Sequence, residues 1–238
     1  MSILHRAAPK TSQAEKLPML EPGDNLDQKT FHARYEAMPE DVRAELIEGV
    51  VYMPSPLKYP HGRGHSRVMI WLGLYQAATP GTEVVDNATT ILGEESEPQP
   101  DGSLYILPEY GGQMREDADE YLVGAPELIV EVASSSEAID LHGKRRDYEK
   151  AGVREYVVVV LRQKRIVWFV RRGAGFTEME PGADGIYRSE LFGGLWLDGT
   201  ALFRADTAAV QQVLQLGLAS PDHARFKAEL ASRRQPKS

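Results

Sequence analysis

The chain contains no cysteine. Disulfides, thiol catalysis and Cys-ligated zinc are excluded, and a reducing, cytoplasmic setting is the expectation. No run approaches the roughly 18 consecutive apolar residues of a membrane span, so no membrane partner is expected. The opening residues, MSILHRAAPKTSQAEKLP, lack the hydrophobic stretch that a secretory leader needs. Positive charge is also scarce. The 27 Lys and Arg residues against 35 Asp and Glu leave a net charge of −8. Tight binding to nucleic acid through overall charge is thereby excluded, and any such binding needs a local basic patch.

What is present is ordinary globular composition, with 42% apolar and 26% charged residues over 238 positions. At about 150 residues per domain, that length fits one large domain with extensions or two small ones. Residues 1–28, polar and broken by Pro9, Pro18, Pro22 and Gly23, read as a flexible extension. Residues 29–205 read as the domain, and 206–238 as a helical tail with a basic, polar end.

Within the domain, Thr30 can cap a short helix, TFHARYEAM, that Pro39 ends. ELIEGVVYM reads as two short strands hinged at Gly49. Val68, Trp71, Leu72 and Tyr75 have helical spacing within 61–78, and Pro80 and Gly81 stop that helix. TEVVDNATTIL reads as two strands, EPQPDGSLYIL as a strand entered through a proline turn, and 109–125 as a surface loop. PELIVEVAS is a strand, DLHGKRRDYEKAG a helix that Gly152 closes, and REYVVVVL with RIVWFVR a hairpin around RQK. A shorter hairpin pattern continues through FTEMEP and GIYRSEL. The expected class is a mixed α/β (α+β) domain.

One residue is out of place. In LIVEVAS, Glu131 interrupts a run of strand formers. Side chains alternate across a strand, so Leu128, Val130 and Val132 share one face and Glu127, Ile129 and Glu131 the other. An edge strand with Glu131 in solvent accounts for this. Three neighbours suggest more. Asp101 follows Pro100 at the entry to the preceding strand, and Glu45 opens the first one. Leu141, Lys144, Tyr148 and Ala151 form one helical row, so Lys144 lies on a stripe otherwise fit to pack on the sheet, unless its stem snorkels to water. Arg145, Arg146 and Lys150 read as solvated charges. Gathered acids repel unless a cation lies between them or one is protonated. Hard oxygen ligands without cysteine suit Mg²⁺ or Mn²⁺, and such a site polarises a phosphodiester.

The order ELIEGVVYMPSP, QPD, PELIVEVASSS and DLHGKRRDYEKAGVREYVVV resembles the Uma-two family of restriction endonucleases, within the PD-(D/E)XK superfamily. The resemblance covers roughly residues 30–205. It implies a restriction-endonuclease-like core, a central mixed sheet flanked by helices. It matches Asp101 to the PD aspartate and Glu131 to the second acid, with the Val132 carbonyl completing a metal site. Ala133 stands where many superfamily members carry lysine, and Lys144 matches the lysine that the Uma-like pattern moves to the following helix. Glu45 matches the acid of the family's ELIDG-like opening, with Glu48 in place of its Asp. The implied activity is metal-dependent hydrolysis of nucleic acid, with DNA the expected substrate, and a homodimer would suit double-strand cutting. A non-catalytic nucleic-acid-binding or interaction protein that keeps the fold is the rival, favoured by the acidic balance.

Other features carry less. His61 and His65 are four apart, as metal ligands on a helix are, but no third ligand stands near, which favours a structural or phosphate-contacting role. Lys58, Arg63 and Arg67 make a locally basic stretch that either faces a nucleic-acid backbone or is simply solvated. Ser134 to Ser136 lack the GxSxG setting of a serine nucleophile.

Overall fold

The two runs richest in β-branched residues, LIVE and EYVVVV, lie side by side at the centre of a six-stranded sheet. Every residue of both is buried, as expected of strands covered on both faces. The structure, a computed structural model, describes residues 17–235. Most of the extension expected over 1–28, and the last residues of the tail, lie outside the described residues.

The strands are β1 (Glu45–Ile47), β2 (Val50–Tyr52), β3 (Thr82–Val85), β4 (Thr90–Ile91), β5 (Gly102–Ile106), β6 (Arg115–Glu116) and β7 (Leu122–Val123), followed by β8 (Leu128–Glu131), β9 (Glu155–Val160), β10 (Arg165–Arg172), β11 (Gly175–Met179), β12 (Ile186–Arg188) and β13 (Trp196–Asp198). The helices are α1 (Gln28–Glu36), α2 (Tyr59–Ala78), α3 (Arg145–Ala151), α4 (Gly199–Arg204), α5 (Thr207–Leu218) and α6 (Pro221–Arg233). The main sheet has the order β11-β10-β9-β8-β5-β3, with β8 and β9 parallel and the other pairs antiparallel. The mixed sheet flanked by helices is therefore as expected. Alternation sorts the central strands. Leu128, Val130, Val132, Val157 and Val159 pack with Trp71, Leu72 and Tyr75 of α2, while Ile129, Tyr156, Val158 and Val160 pack with Tyr148 of α3.

Several local readings change. β8 lies between β5 and β9, so Glu131 is not on an edge strand in solvent. Asp27, not Thr30, caps α1; its carboxylate accepts both the N–H and the hydroxyl of Thr30, each at 2.9 Å. The loop expected over 109–125 contains β6 and β7, which form a small sheet with β4. FTEMEP and GIYRSEL do not pair with each other. β11 extends the β10 edge, and β12 pairs with β13. The helix after β8 opens as a π-helical turn, Ile139–Lys144, before α3 begins.

The terminal segments belong to the same packing. Leu20 is buried, and Gly23 and Leu26 donate to the carbonyls of Val51 and Gly49, both at 2.8 Å, which closes the open edge of the β1–β2 hairpin. Val210 and Leu214 of α5 and Phe226 and Leu230 of α6 join the cluster around Trp71 and Trp168. Among the described residues, no helix is long and apolar enough to cross a membrane.

The seat of α5 depends on Gly217. A Cβ there would stand 2.2 Å from the Gly194 carbonyl oxygen and 2.8 Å from Trp196 Cγ. Gly217→Ala should therefore lower unfolding free energy in urea by about 1–3 kcal/mol. Gly73→Ala, where a Cβ on α2 meets nothing within 4 Å, should raise it by up to about 1 kcal/mol. Equal effects of both would show that α5 is not tightly seated.

Candidate active site

The register of β5 on β8 pairs Gly102 with Val130. Carried one step further it sets Asp101 opposite Glu131, and one more sets Pro100 opposite Val132. Proline has no N–H, so the ladder cannot continue through Pro100. The Val132 N–H instead donates to Asp101 Oδ2 at 2.7 Å, and among the described residues no backbone N–H reaches the Val132 carbonyl. The strand end is thus opened by one residue, and two acids are mounted on it.

Helix α2 grips Asp101 from the other side. His61 Nε2 lies 3.2 Å from Asp101 Oδ2, and His65 Nε2 lies 2.7 Å from the Asp101 carbonyl oxygen and 3.1 Å from Asp86 Oδ1. An ionised Asp101 only accepts, so His61 Nε2 carries the proton. The Asp101 bond holds the His61 pKa above its usual value despite partial burial. Burial pushes Asp101 up, but the His61 bond and charge, the Val132 N–H and Lys144 together hold it below the usual aspartate value.

Lys144 brings the other acids together. Its Nζ donates to Glu131 Oε1 at 3.0 Å and to Glu45 Oε1 at 2.9 Å. The Tyr148 hydroxyl adds a bond of 2.7 Å to the same Glu131 oxygen, and the Gln99 N–H one of 2.8 Å to the same Glu45 oxygen. Lys144 and Glu131 are only 5% and 3% exposed, so the ammonium does not snorkel to water. Burial disfavours charge on Lys144, yet Glu131, Glu45 and Asp140 around it outweigh burial and keep it protonated. Burial raises Glu131 well above the usual glutamate range, against the pull of Lys144.

The five expected positions therefore converge: Asp101, Glu131 and Val132 at the strand end, and Glu45 and Lys144 beside them. Each carboxylate uses one oxygen for protein donors. Asp101 Oδ1, Glu131 Oε2 and Glu45 Oε2 take no hydrogen bond from the described residues. With the Val132 carbonyl they are hard acceptors of the type that divalent Mg²⁺ or Mn²⁺ prefers. Among the described residues, however, no three His, Asp or Glu side chains stand close enough to enclose a metal ion. The donor types fit a hard cation; a closed cage of side chains is not what they form.

A family described as "Putative restriction endonuclease", Uma2, matches residues 30–200. The chain belongs to the Uma2 family. No curated protein matches it. Among solved structures, it is similar to one described as a "putative nuclease belonging to DUF820" from Anabaena variabilis, at 14% identity and a TM-score of 0.56, over 72% of this chain and 96% of that one. At that identity the likeness shows the fold.

In this Uma2 protein the sequence pattern passed over three groups. Asp140, buried and bonded to Ser136 Oγ at 2.6 Å, is a fourth acid around Lys144, and burial lifts its pKa to about 6. Its position four residues after Ser136, the last of a Ser-rich turn, is the available signal. Tyr148 lies in the expected row and is in addition a donor to Glu131. His61, for which the sequence favours a structural or phosphate-contacting role, has Asp101 as its partner. Arg145 is not an ordinary solvated charge: its guanidinium lies over the Phe169 ring at 5.4 Å, with Nε buried. Arg146 and Lys150 are exposed and pair with Glu48 and Glu95, so Glu48 stands outside the cluster. Lys58 and Arg63 are exposed at the start of α2, while Arg67 turns to the Leu202 carbonyl at 3.5 Å.

Asp147, buried on α3 beside the Glu48 N–H, gives this region a pH signature. Burial raises its pKa from 3.8 to about 6. Because the folded value is the higher one, its stabilising contribution is full below pH 3.8, declines from there, and is gone above pH 6. Asp147→Asn cannot ionise. Denaturant unfolding from pH 4 to pH 8 should shift the difference between variant and wild type by roughly 2 kcal/mol in the variant's favour. A pH-independent difference would place Asp147 in water.

Proposed function

We propose that this Uma2 protein is a metal-dependent endonuclease that hydrolyses the phosphodiester backbone of nucleic acid, DNA in the first instance. The observation that carries this reading is the meeting of Asp101, Glu131 and Lys144 where the β5–β8 ladder is opened by Pro100. Hydrolysis replaces one phosphorus–oxygen ester bond with a bond to the oxygen of water, and the leaving oxygen takes up a proton. A divalent cation, when bound, supplies Lewis-acid polarisation of the scissile phosphate.

The chain's own groups divide the remaining work. Asp101 and Glu131, with the Val132 carbonyl, would hold Mg²⁺ or Mn²⁺, with Glu45 as the accessory acid. His61, donating to Asp101 Oδ2, fixes which carboxylate oxygen stays free. Lys144 Nζ, protonated and pre-placed by Glu45 and Glu131, neutralises charge on a phosphate oxygen or orients the attacking water. Tyr148 and the main chain hold the lysine–acid pair rigid, which such positioning requires.

Metal binding is measurable without turnover. Mn²⁺ or Mg²⁺ should raise the melting temperature, because the ion offsets repulsion between Asp101 and Glu131. At free metal 100 times the dissociation constant the gain is about 2.7 kcal/mol. Asp101→Asn should abolish this gain. Identical melting of wild type and variant, with and without metal, would remove Asp101 from the site.

Lys144→Met separates the nuclease from a non-catalytic protein of the same fold, a rival that the engagement of Lys144 with two acids supports. The variant keeps the apolar stem but leaves Glu131 and Glu45 without their cation, so stability should drop by roughly 3–5 kcal/mol in EDTA. In Mn²⁺, with folding verified by circular dichroism, plasmid cleavage should be slower by two or more orders of magnitude, the scale of one lost transition-state contact of ~3 kcal/mol. Lys150→Met, whose ammonium pairs with Glu95 at the surface, should cleave normally. Equal loss in both variants, or no cleavage by wild type in any metal, favours the rival.

A further inference from the structure

Beyond the strand-end site, the chain has a cavity of about 430 Å³ between the β9–β10 turn and α4. We propose that it holds a phosphate-bearing stretch of the nucleic acid flanking the segment in the active site. The substrate class rests on the reading above; the pocket itself rests on its own residues.

Its volume falls within the ~300–1,000 Å³ of ligand pockets and is enough for a nucleotide. Lys164, Arg165 and Arg204 line it together with Ile166, Tyr187 and Phe203, and no acidic side chain does. All three cations are exposed. Arg165 is answered by Glu178 only at 4.0 Å, and among the described residues Lys164 and Arg204 have no ion-pair partner. In a chain of net charge −8, unneutralised cations around an aromatic floor are suited to a phosphate with a base beside it. Tyr187 is itself braced, stacked on Trp168 at 5.9 Å with its hydroxyl 3.3 Å from the Ile166 carbonyl, so the floor is preformed.

The β9–β10 turn that lines the pocket leaves the sheet at the end that carries the acids. β8 and β9 are parallel, and the pairing continues through Ala133 to Val159 and Leu161, both at 3.0 Å, so the β9–β10 turn leaves the sheet where Glu131 does. α2 touches both places. A Cβ on its Gly64 would lie 3.1 Å from Val132 Cγ1 and 3.0 Å from Leu161 Cδ2. Its Arg67 reaches the Leu202 carbonyl of α4, the helix that carries Phe203 and Arg204. The pocket and the cations Lys58 and Arg63 at the start of α2 thus lie at the end of the sheet that carries Asp101.

The test is anisotropy of a fluorescein-labelled DNA duplex in EDTA, across a salt series. Lys164→Gln/Arg204→Gln changes exposed residues outside the acid cluster and should leave the melting temperature unchanged. It should make the slope of log affinity against log salt shallower by about 2, at ~0.9 per phosphate contact. Lys227→Gln, exposed on α6, should leave the slope alone. An unchanged slope in the double variant overturns the pocket, even if wild type cleaves DNA in Mn²⁺. A shallower slope with no cleavage by wild type in any metal keeps the pocket and defeats the nuclease reading instead. If the double variant weakens binding of a labelled mononucleotide but not the duplex slope, the pocket serves a free nucleotide and the proposal falls.

Discussion

The ammonium of Lys144 between Glu45 and Glu131 is the contact on which the site depends. It joins three parts of the chain distant in sequence: the first hairpin, the central strand β8 and the π-helical turn. Burying such an ion pair is weak support for stability, since desolvation of both charges offsets most of the Coulomb gain. Its effect is on specificity. With Lys144 in place the acids have a defined arrangement, and without it at least one must protonate or the hairpin must withdraw. The Tyr148 hydroxyl and the Gln99 N–H, each bonded to an acid oxygen that Lys144 also uses, leave the other oxygen of each carboxylate turned away from protein donors.

How much of this was legible in the sequence follows from the range of the forces involved. Alternation along LIVE is a local property, and it separates Leu128 and Val130 from Ile129 as the two clusters do. The three- and four-residue row through Leu141, Lys144 and Tyr148 likewise put the lysine on the packed side of its helix. Edge against centre was not legible for β8, because that depends on β5 and β9 arriving from elsewhere. The π turn was not foreseen either; it adds a residue to the turn and lets Lys144 and Tyr148 meet one oxygen of Glu131. His61 and Asp101 are 40 positions apart, and no pattern within either segment announces their contact. The part of the site carried by the family likeness and the part carried by tertiary packing are thus different residues.

Charge is distributed in the same divided way. The net charge of −8 repels a polyanion at long range, while Lys58, Arg63, Lys164 and Arg204 stay exposed on the side where β8 and β9 end. Association under these conditions is governed by a short-range patch within a repulsive field, so it is steeply screened by salt and selects substrates that can reach the patch. Some cations elsewhere are answered. Arg146, Lys150, Arg188 and Arg225 each face an acid at 2.7 Å or less.

Three consecutive residues, Pro100, Asp101 and Gly102, then explain why the site lies where it does. Pro100 withholds an N–H and so ends the ladder against Val132, freeing that carbonyl. Asp101, next along, replaces the missing ladder bond with its own side chain on the Val132 N–H. Gly102 begins β5 without a side chain, and a Cβ there would stand 3.1 Å from Met69 Sδ and 3.5 Å from Leu72 Cδ1. Its absence lets α2 lie close on the sheet, and only at that distance do His61 and His65, one turn apart, reach the side chain and carbonyl of Asp101. A bulkier residue at 102 would preserve every acid and still move the helix that orients the first of them. The glycine that weakens the strand is what brings the histidines to the aspartate.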